Sequence, residues 1–238
     1  MWILYLALLV FALAAGFAGN HSWFRFERLN KQNVLNGTLI VLVLFTLLMM
    51  MYAGGYFPQS VAAPFMMVLY SVLAGFFLGY ASRLYQNRRQ SGTVLYQYRS
   101  FWVDHAPNLL AVALILFGLY RSALLTDQLI TGIRITSGIS LISFGLFTWT
   151  LKAVPEFRSK GIIILDRLVA WDEVVAWHWI SEEVVAIEYL AIDSDEKDRI
   201  KEFTTKIPES DRKEVDMILN SKMEEYHEER KEKLLGEH

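Results

Sequence analysis

The hydrophobic pattern changes character along the chain, from long apolar runs to short alternating ones. Five stretches can cross a hydrocarbon core about 30 Å thick, which takes roughly 20 residues of helix. They are Met1–Ala18, Val34–Ala53, Val61–Ser82, Ala106–Leu125 and Leu129–Leu151. In lipid each backbone N–H and C=O must be satisfied internally, and nothing here alternates as a barrel strand would, so the pattern predicts helices. Beyond Pro155 the runs shorten. Gly161–Leu165, Leu168–Trp171, Ala176–Ile180, Val184–Ala191 and Ile200–Ile207 read as five strands. Asp166-Arg167 and Ser181–Glu183 are the predicted turns, and Pro208 stops the last strand. Ser210 then reads as an N-cap, with Asp211 in the first turn where the helix dipole favours a carboxylate. Val215, Ile218, Leu219, Lys222, Met223 and Tyr226 fall at helical spacing and form its apolar stripe. The predicted fold class is therefore an α-helical membrane domain of five helices over residues 1–154, followed by a small cytoplasmic α+β domain over residues 155–238. That second domain is an antiparallel sheet with one C-terminal helix and a charged helical tail.

Gly92–His105 lies between the third and fourth spans. Val94, Tyr98, Phe101 and Trp102 fall near one helical face, with Arg88, Arg89 and Arg99 nearby. The spacing suits an amphipathic segment in the membrane interface, its cations among anionic head groups. A short strand, Thr93–Tyr98, docked on the second domain is the alternative.

Charge sorts the chain in the same way. Residues 1–154 hold ten Lys/Arg against three Asp/Glu, a net of +7, and residues 155–238 hold thirteen against twenty-two, a net of −9. A single globular domain and a basic nucleic-acid-binding tail are excluded by that asymmetry, and a disulfide scaffold by the absence of Cys. Short-loop Lys/Arg counts set topology. Arg25, Arg28, Lys31, Arg83, Arg88, Arg89, Arg99, Lys152, Arg158 and Lys160 lie on one side, and Arg121 alone on the other. The amino terminus is thus expected outside and the second domain in the cytoplasm. No basic residue precedes the first apolar run and three follow it, so it reads as a retained anchor rather than a signal peptide.

Small residues four apart mark faces where helices approach closely: Gly75 and Gly79, Ala15 and Gly19, and the stripe Gly132, Thr136 and Ser140. Packing within the bundle is the expected use, with oligomerisation as the alternative. Ionisable residues at membrane depth would point to transport. Only Arg134 and Arg121 approach it, and Arg134 is expected to snorkel or to pair with Asp127 across a short connection.

Lys160-Gly161-Ile162, Val169-Ala170-Trp171-Asp172-Glu173-Val174 with Trp177, and Phe203 to Pro208 followed by Glu214–Leu219 carry a resemblance. Over about 70 of the 238 residues the chain resembles small bacterial pleckstrin-homology-like (PH-like) domains found on uncharacterised membrane proteins. The resemblance implies a binding or scaffolding module on the bacterial inner membrane and transfers no catalytic residue. Five strands stand where such a fold has seven, which leaves closure of the barrel open. Lipid head-group recognition takes a Lys/Arg cluster, so the acidic domain suits a basic protein partner or another copy's positive loops instead.

Other candidates have plain explanations. Glu224, His227 and Glu228 have metal-site spacing on the last helix but sit in a run of Glu, Arg and Lys that reads as solvated. His178 is expected on the strand face opposite Trp177 and Trp179. Asp104, beside His105, reads as an N-cap, and His21 has no assignable partner. No zinc-protease, nucleophile-elbow, phosphate-loop or dinucleotide motif is present. The expected function is a non-enzymatic scaffold or accessory subunit of a membrane complex, with no cofactor or metal. Its partners would be membrane lipids and either a protein or further copies of the chain, with no nucleic acid. Gly75, Gly79, Arg134, Asp127, Trp171, Trp177 and Trp179 are its candidate packing or interaction residues. A small transporter or channel is the alternative.

Overall fold

A computed structural model describes residues 2–21, 31–126, 129–151, 154–192, 198–228 and 231. The chain divides into two compact units, Met1–Gln86 with Asp104–Leu151, and Asn87–Val103 with Lys152–His238.

The described part of the first unit is helical: α1 (Trp2–Asn20), α2 (Lys31–Ala53), most of α3 (Gln59–Gln90), most of α4 (Phe101–Arg121) and α5 (Gly132–Thr150). Among the described residues, α1 to α4 are the four helices long and apolar enough to cross a membrane. The fifth expected span forms α5, a helix of 19 residues whose buried positions include Ser137, Ser140 and Ser143. Those serines lower its apolarity while providing a small-residue face. Gly138 on α5 lies against the Gly118 backbone of α4 and Ser122 just beyond it, and Gly145 against Ala111 and Ile115 of α4. On α3, Phe77 meets Phe144 and Phe147 of α5 with ring centroids 4.7 and 5.3 Å apart. None of the described residues of α2 is buried.

The fourth span starts earlier than its apolar run suggests. Phe101 and Trp102 form the first turn of α4, and Asp104, expected as its N-cap, lies inside the helix. The helix then closes at Arg121, and the chain turns at Ala123 with a left-handed φ of 64°.

Among its described residues the second unit holds seven strands rather than five. β1 (Val94–Gln97), β2 (Glu156–Arg158), β3 (Gly161–Ile164) and β4 (Arg167–Ala170) form one antiparallel sheet in that order. β5 (Val174–Ser181), β6 (Val184–Ile192) and β7 (Asp198–Lys206) form another. The expectation of an interfacial helix over Gly92–His105 is overturned in favour of the strand: Tyr96 and Gln97 pair with Phe157 and Glu156. Gly92, at φ 81°, turns the chain out of α3 toward that strand. The hairpin between β3 and β4 turns one residue earlier than predicted, at Leu165-Asp166, because Ile164 pairs with Arg167 and Leu165 accepts a φ of 54°.

A 3-10 turn, Glu209–Asp211, follows Pro208 and leads into α6 (Arg212–Glu225). Ser210 is therefore not the cap: its hydroxyl donates to Asp211, and no side chain caps α6. The predicted stripe does face inward, with Val215 and Leu219 wholly buried and Ile218, Met223 and Tyr226 packed around them. They join Tyr96, Phe157, Ile162, Val169, Trp171, Val174, Val185, Ile187 and Tyr189 in one core.

Candidate functional site

Most of the candidate residues turn out to hold the fold. A Cβ on Gly75 would collide with the Ala12 backbone and one on Gly79 with that of Gly16, both on α1; Gly19 abuts Phe76 in the same way. These glycines thus let α1 and α3 approach to backbone contact, a mode of packing that small residues permit in membranes. Gly132 meets Met67 of α3. Arg134 turns back at the start of α5, its Nη1 donating to the Leu129 carbonyl at 3.5 Å. Asp127, its expected ion-pair partner, lies outside the described residues.

The tryptophans belong to the second unit's interior. Trp171 has no exposed surface, and its Nε1 donates to the Arg158 carbonyl at 2.9 Å. Trp177 and Trp179 pack against the core from β5. Trp179 also donates to Asp216 of α6 at 2.8 Å, while the Arg212 guanidinium sits 4.6 Å from its ring centroid. His178 points the other way, exposed, with Nδ1 4.0 Å from Glu188 on β6. Glu224, His227 and Glu228 are exposed. Among the described residues no group of three His, Cys, Asp or Glu side chains is placed to hold a metal ion.

Three arrangements escaped the sequence reading. Arg83, counted there as a loop cation, is only 9 % exposed. Its Nη1 donates to the His21 carbonyl just beyond α1 at 2.8 Å, and its guanidinium lies 4.5 Å from the Tyr80 ring centroid. A cation there complements the carboxyl end of the helix dipole. Arg158 does the same for α3, with Nη1 donating to the Arg88 and Gly92 carbonyls at 3.0 Å, while Nε and Nη2 hold the buried Glu156 carboxylate. The third is Tyr96, whose hydroxyl donates to Asp211 at 3.0 Å and ties β1 to the turn before α6. Burial, and then that carboxylate with the charge of Glu214, push the Tyr96 phenol well above its ordinary range. None of these had a local signature, since each joins residues distant in sequence.

Two clefts remain. In the first unit, Leu78, Ala81, Ser82, Tyr85, Ile115, Leu146, Trp149 and Thr150 line an apolar groove of about 580 Å³. In the second, Leu95 of β1 and Met217, Ile218, Ser221 and Lys222 of α6 line one of about 330 Å³.

No curated protein and no solved structure matches the chain. Residues 153–224, which run from just before β2 to the end of α6, match the family described as "Domain of unknown function (DUF5673)". β1 lies outside that match, so the sheet is completed by a strand drawn from between α3 and α4. The chain thus carries a region similar to an uncharacterised domain family joined to helices able to cross a membrane.

Proposed function

We propose that the chain is a non-enzymatic membrane scaffold or accessory subunit of the bacterial inner membrane, in which five helices anchor a PH-like module that binds another protein in the cytoplasm. Sheets of four and three antiparallel strands followed by one helix support the PH-like assignment. The membrane reading draws on α1 to α4, with α5 as the fifth span because it packs its small-residue face on α4 and its phenylalanines on α3. Basic residues concentrated in alternate loops support the orientation.

The observation that carries the functional reading is the charge of the module. With Asn87–Val103 and Lys152 included, the second unit holds seventeen Lys/Arg against twenty-two Asp/Glu, a net of −5. Anionic lipid repels such a surface and a basic protein is drawn to it. Isolating the full chain from native membranes in mild detergent tests this. A second protein in stoichiometric amount, released as salt is raised, is expected; a chain that emerges alone, with no partner at low salt, overturns the reading.

A further inference from the structure

Resting on that reading of the second unit as an interaction module, we propose that the cleft between β1 and α6 takes an extended, basic segment of a partner protein, which adds as a further strand to the edge of β1. Among the described residues β1 pairs only with β2, which leaves its other edge open. An open edge presents unpaired N–H and C=O groups and is a template for another strand unless charges or proline defend it. Val94-Leu95-Tyr96-Gln97 contains neither. The edges of β4 and β7 are defended, by Arg167 and by Lys201, Glu202 and Lys206. β5 has no Lys, Arg, Asp or Glu, but α6 already reaches it through Asp216 and Arg212 at Trp179.

Beside β1 lies a shaped receptor rather than a bare edge. Leu95, Met217 and Ile218 give the cleft apolar walls, and Met217 is 66 % exposed with no described covering. Its volume of about 330 Å³ falls at the lower end of ligand-sized clefts, enough for one large apolar side chain. Glu214, Ile218, Ser221 and Glu225 recur at helical spacing along one stripe of α6. Glu214 and Glu225 are both exposed, and Lys222 pairs with Glu225. Asp211 accepts from the Tyr96 hydroxyl of β1, which places the first turn of α6, with Glu214, on the β1 side. Main-chain bonds to β1 would supply affinity, and an apolar residue in the cleft with a Lys or Arg toward Glu214 would supply selectivity.

A fluorescent peptide of about eight residues alternating Lys and Val, with a Glu-Val counterpart, probes the full chain in detergent by anisotropy. The Lys-Val peptide is expected to bind, the Glu-Val peptide not to, and amide exchange at residues 94–97 to slow when Lys-Val is added. Met217→Arg and Glu214→Lys should each weaken binding about tenfold or more, and Glu202→Lys, the same charge change on the exposed face of β7, by less than about threefold. Absence of Lys-Val binding overturns the proposal. Equal weakening by all three variants also overturns it, since net charge and not the cleft would then be responsible. Protection of residues 94–97 that rises with protein concentration without peptide would give the edge to a second copy. In each of these cases a salt-sensitive partner isolated from native membranes leaves the broader reading standing; its absence removes both.

Discussion

Trp171 shows how much of the second unit rests on single side chains. It is wholly buried, touches Phe157 at 6.5 Å between ring centroids, and uses its one donor on the Arg158 carbonyl. Replacing it by Ala should cost about 3–5 kcal/mol, from lost transfer energy plus the cavity left behind. Loss of the cooperative tryptophan-fluorescence transition in thermal unfolding of the full chain is the check. Arg158 and Glu156 differ in kind, because burial makes breaking the pair more consequential than having it. Glu156→Gln leaves the Arg158 charge 12 % exposed without its counter-ion, at about 3 kcal/mol or more, read in the same experiment. Tyr96 has a pH signature. Its folded value is raised above the unfolded value of about 10, so the stability it contributes is complete below that pH and is lost as pH rises through the folded value. Tyr96→Phe should therefore destabilise by about 1–2 kcal/mol at neutral pH and flatten the alkaline decline. An alkaline decline unchanged by the substitution would contradict the account of that hydrogen bond.

At the level of elements, apolar length made the long helices legible, and short apolar runs bounded by turn residues did the same for the strands from Gly161 on. Val184–Ala191 was readable because the alternating core positions Val185, Ile187 and Tyr189 sit within one strand. β1 and β2 were not readable in that way. They are four and three residues long, β2 carries Glu156 and Arg158, and although β2 also pairs with β3 nearby, β1 gains its partner across about 60 residues of sequence. The misplaced β3–β4 turn has a similar cause: Asp-Arg looks the better turn locally, but the register of Ile162 and Val169 in the core decides it. Of the candidate site, the sequence singles out the glycines and tryptophans but leaves packing and interaction open for them, while the cleft beside β1 is not legible, because one of its walls comes from a strand with no strong local pattern. The glycine packing yields its own prediction. Gly75→Leu must push α1 off α3, at about 1–3 kcal/mol or more, and should lower the thermal stability of the detergent-solubilised chain. Gly37→Leu on α2, with no atom within 4 Å of its added Cβ, should leave it unchanged.

For the whole molecule, the function proposed here depends on which side of the membrane displays the acidic unit. Five spans put the amino terminus and that unit on opposite faces, whereas four would put them on the same one. The chain lacks Cys, so single cysteines report location without background. The most direct measurement places one at Ser60, in the first turn of α3, and another at Ser181, at the end of β5, and labels intact cells with a membrane-impermeant maleimide. Labelling at Ser60→Cys in intact cells, with Ser181→Cys labelled only after permeabilisation, is the predicted result. Labelling of both in intact cells, or of Ser181→Cys alone, would contradict it and remove the cytoplasmic partner from the account.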